Sequence, residues 1–170
     1  IMFKDFKIKK YLDKKPPSDN SFTTMQEVKE LKKTPTNKNF VKEKDDIRKA
    51  FGKVVDERAF IQKLINESAP LILKIKKHHN RPRPYDLDKS LKAVKMDSMD
   101  TPSYPSGHSA QGILIGMALS DKYPSKKTKL MKIAKDISKS RNIAHAHYKS
   151  DSKFGEQIGK DMYNHIKNKV

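Results

Sequence analysis

Residues 105–123 read PSGHSAQGILIGMALSDKY. The stretch opens on proline, serine and glycine, the residues of a turn, and then runs without interruption through isoleucine, leucine, methionine and alanine. It predicts a loop that becomes an apolar helix. Free backbone N–H groups point outward at such a helix start, and the helix dipole favours an anion there. Gly107 lets a ligand approach the backbone closely. His108 would stand beside that ligand, titrating near neutral pH. Read alone, the same four residues are equally a serine cap followed by an ordinary histidine.

Helical patterning continues on both sides. Downstream, SKKTKLMKIAKDISKSRNIAHAH places Leu130, Ile133, Ala134 and Ile137 on one face, and SDSKFGEQIGKDMYNHIKN reads as a final amphipathic helix capped by Ser150 or Asp151. Upstream, DERAFIQKLINES has helical spacing at Phe60, Ile61, Leu64 and Ile65. Ser68 followed by Pro70 predicts a cap and a fresh helix, PLILKIKKHH. NRPRPYDLD must be a loop, and residues 89–103 are polar and irregular. KDDIRKAF reads as a short helix. So does MQEVKELKK, capped by Thr23 or Thr24 and stopped by Pro35. Residues 1–20 are lysine-rich and end in a double proline, which predicts a basic extended arm ahead of one domain over 21–170. No strand pattern and no internal repeat is visible. The expected fold is an all-α, single-domain helical bundle of about six to eight helices.

The chain has 170 residues, 35% of them hydrophobic, and a formal net charge of +18. That charge predicts attraction to phosphorylated ligands, nucleic acid or anionic surfaces. It is mostly lysine spread along the chain, with no compact basic tract interleaved with aromatics. No cysteine is present, which excludes disulfides and thiolate zinc sites. No apolar run approaches a membrane span, and the opening IMFKDFKIKK has no signal-like apolar centre. The compartment, cytoplasmic or exported, and the oligomeric state, homo-oligomer included, stay open.

Arginine is the scarce cation, with five in the whole chain, and three of them are Arg81, Arg83 and Arg141. A guanidinium offers a fixed fork of donors that matches phosphate oxygens. His147 and Asp151 are four residues apart, so a helical turn would put both on one face. A carboxylate bound to one ring nitrogen leaves the other free as nucleophile or base. The six histidines contain no HExxH and have no acidic cluster beside them, so no metal or other cofactor is expected.

Three segments combine these residues: Lys76-x6-Arg83-Pro84, then Pro105-Ser106-Gly107-His108, then Ser140-Arg141-x5-His147-x3-Asp151. Their order and spacing resemble the tripartite signature of the phosphatase superfamily that includes class A bacterial non-specific acid phosphatases, type 2 phosphatidic acid phosphatases and vanadium haloperoxidases. The resemblance is dense from about Lys74 to Gly155. PPSDNS, NRPRPYDLD and PSYPSGHSA are more similar to the soluble class A enzymes than to the membrane lipid phosphatases.

The resemblance implies an all-α bundle and a soluble, metal-independent phosphomonoesterase acting on a small phosphate ester. It implies His147 as the nucleophile that becomes phosphohistidine, Asp151 as the residue that orients it, and His108 as general acid and base. Lys76, Arg83, Arg141, Ser106 and Gly107 would bind the phosphoryl oxygens. Orthovanadate would inhibit. His145 departs from the pattern, standing where relatives have a small residue, and would either add a titrating group or block part of the pocket. The alternatives are a basic nucleic-acid- or anionic-surface-binding protein that keeps the fold, and a vanadate-dependent peroxidase.

Overall fold

The structure is a computed structural model and describes residues 2–169. Among these residues every regular element is helical. Nine α-helices follow in order: α1 Lys9–Leu12, α2 Phe22–Lys33, α3 Lys38–Asp45, α4 Ile47–Gly52, α5 Arg58–His79, α6 Pro84–Leu87, α7 Gly107–Lys122, α8 Lys127–Ile143 and α9 Lys149–Ile166. Two of them, α1 and α6, are single turns, and short 3-10 turns lie at Asp97–Asp100 and Pro124–Lys126. None of the described helices is long and apolar enough to cross a membrane.

The helix of the opening stretch, α7, is the centre of the bundle. It packs against α8 on one flank, α9 on another and α5 on a third. Ile113, Leu114, Ile115 and Leu119 are buried all round it. Each large aliphatic so buried contributes roughly 1.5–3 kcal/mol. Leu130, Ala134 and Ile137 of α8 and Phe154, Ile158 and Met162 of α9 close over it at helical spacing. Ile133 is only half-buried at the edge. Phe3 and Tyr11, from the first twenty residues, belong to the same core.

Two glycines one turn apart set how closely α9 can lie on α7. A methyl at Gly155 would meet the carbonyl oxygen of Ser106, and one at Gly159 the carbonyl oxygen of Ala110. Their lack of a side chain lets the start of α9 run directly beside the start of α7. The Ser106 N–H donates to the Asp151 carbonyl at 3.1 Å across that seam. The two ends that carry His147, Asp151 and His108 are thereby brought together.

Several boundaries differ from the sequence expectations. Residues 58–79 form one helix, not two, with Pro70 inside it. Ser68 does not cap a new start. Its hydroxyl donates back to the Ile65 carbonyl at 3.2 Å, and Gln111 Nε2 of α7 reaches the same carbonyl at 3.3 Å. Pro70 removes only the helical donor to the Asn66 carbonyl, and the helix continues through it, packed against α7. Ser21, rather than Thr23 or Thr24, caps α2, its Oγ accepting from Thr24 N at 3.1 Å. KDDIRKAF breaks at Asp46, which accepts from Arg48 N and Lys49 N and so starts α4. Tyr148 is the cap residue of α9, and Asp151 serves it from inside the first turn.

Candidate active site

The site forms where the N-terminus of α7, the C-terminal end of α5 and the loop between α8 and α9 meet. A cavity of about 480 Å³ lies there. Lys76, Arg83, Gly107, His108, Arg141 and His147 all line it. Ser106 and Asp151 lie behind its wall, both fully buried.

His147 precedes α9, so it does not pair with Asp151 across a helical turn as expected. The pair forms by capping geometry instead. Asp151 Oδ2 turns back to accept from the Tyr148 N–H at 3.0 Å, and His147 Nδ1 lies 3.1 Å from the same oxygen. Ser103 Oγ donates to it as well. Asp151 Oδ1 accepts from Arg81 Nη1 at 2.7 Å. Arg81 is held over the Tyr148 ring, 3.9 Å from its centroid, and near Glu27 at 3.7 Å. A carboxylate only accepts, so His147 Nδ1 carries the proton and Nε2 presents a lone pair.

That Nε2 faces Arg83 Nη1 at 2.9 Å. Burial, then the nearby charges of Arg83, Lys76 and Arg141, hold His147 well below the usual histidine range. It is neutral at pH 7. Burial also pushes the Asp151 carboxyl up to about 6, against the pull of Arg81 and of the donors around it. It remains mostly ionised at pH 7.

His108 has a matching arrangement that the sequence did not reveal. Its Nε2 lies 2.8 Å from the Asp45 carbonyl oxygen and 3.4 Å from Asp45 Oδ1. The carbonyl can only accept, so Nε2 carries the proton and Nδ1 is the bare nitrogen of the neutral ring. Arg141 Nη1 reaches the same Asp45 Oδ1 at 3.3 Å. Burial lowers the His108 pKa below the ordinary histidine value, although Asp45 opposes it. The hydrogen bond to His108 in turn holds the Asp45 carboxyl below its usual range. Each histidine therefore has its own carboxylate and its own arginine.

The cations differ in what they have left to give. All five N–H donors of Arg83 are engaged, at 2.9 Å to Thr101 O, 3.0 Å to Ala146 O, 2.9 Å to His147 Nε2, and 3.3 Å to both Ser98 O and Thr101 Oγ1. A ligand oxygen must displace one of these. Lys76 Nζ makes a single bond, 2.8 Å to Pro102 O, and keeps two protons for a ligand. Burial, with Arg83 nearby, lowers Lys76 to about 7. Arg141 Nε donates to Ser140 Oγ at 3.0 Å, while its terminal nitrogens reach Asp45, Met96 Sδ and Val41 O only at 3.3–3.5 Å.

Ser106 caps α7, its Oγ accepting from Ser109 N at 3.2 Å. A Cβ on Gly107 would point at Lys76 Cε, 3.7 Å away, so the first turn of α7 lies against the lysine. The positive end of the helix dipole and the lysine both favour an anion there. His145, with φ of 58°, turns from the cavity and sets Nε2 2.8 Å from the Thr34 carbonyl. It neither fills the pocket nor lines it.

The residues missed by sequence are Asp45 and Arg81. Asp45 lies 63 positions before His108 in a lysine-rich run and carries no local mark. Arg81 was marked only by the scarcity of arginine.

No protein-family model matches the chain. Over 87 residues, 49% of this chain, it is 33% identical to a non-specific acid phosphatase of Salmonella typhimurium. The match covers 35% of that protein, so the chain spans about a third of the relative's length. Across just under half of its length, this chain is similar to a non-specific acid phosphatase.

Proposed function

We propose that the chain is a phosphomonoesterase that works through a phosphohistidine on His147. The observation that carries this is the state of His147: neutral, oriented through Nδ1 by Asp151, with the Nε2 lone pair facing a cavity that three buried cations share. The partial likeness to an acid phosphatase supports the same reading.

The geometry suits each step. A phosphate monoester enters with its oxygens against Lys76, Arg141 and the first turn of α7, where Gly107 lines the cavity and Ser106 holds the turn as its cap from behind the wall. It takes a donor of Arg83 from His147 Nε2. The Nε2 lone pair then attacks phosphorus, and the ester P–O bond breaks with its electrons on the leaving oxygen. His108, protonated on Nδ1, gives that oxygen its proton. Water next attacks phosphorus as Nδ1 of the now neutral His108 takes its proton. The P–N bond breaks, its electrons return to Nε2, and inorganic phosphate leaves. The charge that spreads over the equatorial oxygens meets fixed cations. The two histidines need opposite protonation states, and each has a separate carboxylate and arginine to set its own.

The test is hydrolysis of p-nitrophenyl phosphate in EDTA, with acid-labile label trapped on His147. Activity that disappears with chelator and returns with Mg²⁺ or Zn²⁺ overturns the metal-independent mechanism. Label on His145, or trapping that survives His147→Ala, overturns the assignment of roles. Orthovanadate, which mimics the trigonal-bipyramidal phosphoryl group, should inhibit.

The net charge of +18 favours a second reading, attraction to polyanions. It predicts nucleic-acid binding that weakens steeply with salt and is indifferent to His147→Ala.

A further inference from the structure

We infer that the ligand of this cavity is a phosphate monoester of an apolar, extended alcohol, and that Leu73 and Met99 set the preference. This deepens the phosphomonoesterase reading and rests on it for the end at which the phosphate lies. All the charged groups on the cavity wall cluster at one end of α5, and none of them is a carboxylate. The rest of the α5 side is aliphatic. Ala69, Ile72, Leu73 and Lys76 stand at i, i+3, i+4 and i+7, which is one face of the helix. The stripe runs about 10 Å from the lysine to Ala69. Met99 lines the same space from the 3-10 turn, and Ala69 and Pro70 open it to solvent.

Part of the polar capacity along this wall is already engaged, namely the Gln111 amide N–H groups, the Ser98 carbonyl and Thr101 Oγ1. Gln111 Nε2 donates to Ile65 O and to Ser68 Oγ, at 3.3 and 3.1 Å. Ser98 and Thr101 accept from Arg83. A sugar or polyol placed along the stripe would lose water from its hydroxyls and gain few partners. An alkyl or aryl group would lose nothing and would cover Leu73 and Met99, both half-buried without it. At about 480 Å³ the cavity is also of ordinary small-ligand size, with room beyond a phosphate.

The experiment measures binding of n-alkylphosphonates, methyl to octyl, by calorimetry on the full chain. These carry the phosphate-like head but have no ester bond to cleave. Affinity should rise up to roughly fourfold per methylene and level off once the chain outgrows the wall. Leu73→Asn and Met99→Gln should each flatten the increments, whereas Lys74→Asn, on the solvent side of α5, should keep them. Equal affinity across the series in the unaltered protein overturns the inference. So do increments that persist in both wall variants. The matching alkyl phosphates separate this from the reading beneath it, since their leaving alcohols are chemically alike. Chain-dependent binding without hydrolysis of any ester overturns the phosphomonoesterase reading and keeps the apolar ligand. Hydrolysis with no chain dependence does the reverse.

Discussion

Replacing Asp151 by asparagine leaves its size unchanged and removes one acceptor edge. In the native protein Oδ1 accepts from Arg81 at 2.7 Å, while Oδ2 accepts from the Tyr148 N–H at 3.0 Å, from His147 Nδ1 at 3.1 Å and from Ser103. The amide can satisfy only one side. If its oxygen faces Arg81, its NH₂ meets the Tyr148 N–H and the His147 Nδ1–H. The imidazole must then move its proton to Nε2, which ends nucleophilicity. If its NH₂ faces Arg81, two donors collide and a guanidinium only 2% exposed loses its nearest anion. Either way a fully buried charge pair is broken, at a cost of about 3–5 kcal/mol. For a chain of this size that is a fall in Tm of roughly 6–20 °C. A domain of ordinary stability stays folded at 25 °C. The turnover of p-nitrophenyl phosphate should fall by about 10⁴, as when the orienting carboxylate of a serine-protease triad is amidated. Denaturant melts and steady-state rates on the same preparation check both numbers. A variant with an unchanged melt and a rate within tenfold of the native one would refute the argument, because His147 would then be held by something other than Asp151.

Four further outcomes are expected. The kcat/KM for phosphate esters should fall as pH rises through about 7, because Lys76, at about 7, must be charged and His108, held below the ordinary histidine value by burial, must carry a proton; a rate that climbs to pH 9 contradicts this. Folding stability should rise between pH 7 and 9.5, because the folded chain sheds the Lys76 proton at about 7 and the unfolded chain keeps it to about 10.5, a slope of up to about 1.4 kcal/mol per pH unit that Lys76→Met should abolish. Gly159→Ala should destabilise by about 1–3 kcal/mol, since its methyl lands on the Ala110 carbonyl, whereas Gly52→Ala, with nothing within 4 Å, should not destabilise; equal effects in thermal melts would show that the α7–α9 seam has slack. Arg141→Lys keeps the charge but loses the planar fork, so the catalytic rate should drop more than tenfold while Lys127→Ala, on the exposed start of α8, leaves it unchanged.

The helical class was legible in the sequence because the apolar spacing of α7, α8 and α9 is local information. Leu130, Ala134 and Ile137 recur at one helical period, and they are the residues found buried against α7. The same holds for the chemically distinct residues at the helix ends. Scarce arginines, a glycine after a serine, and a histidine four before an aspartate mark themselves without any fold. It was the resemblance to a tripartite phosphatase signature that joined Lys76, Arg83, Gly107, His108, Arg141 and His147, and one cavity takes them all in.

What the sequence could not express is pairing between distant residues. Asp45 meets His108 across 63 positions, and Arg81 meets Asp151 across 70. Nothing in either local stretch distinguishes those side chains from solvated charges. Competition between local signals and tertiary context was equally hidden. Pro70 reads as a helix start, but α5 is packed against α7 and runs through. Asp151 reads as a cap or a helical partner of His147, yet its carboxylate serves the Tyr148 N–H and the imidazole at once because α9 begins between them. Helical spacing likewise does not tell that Ile72 is buried in the core while Leu73, one position on, is left half-buried beside the cations. Periodicity determines which elements form; only the packed bundle decides which of their faces remain uncovered, since that depends on what every other helix has already buried.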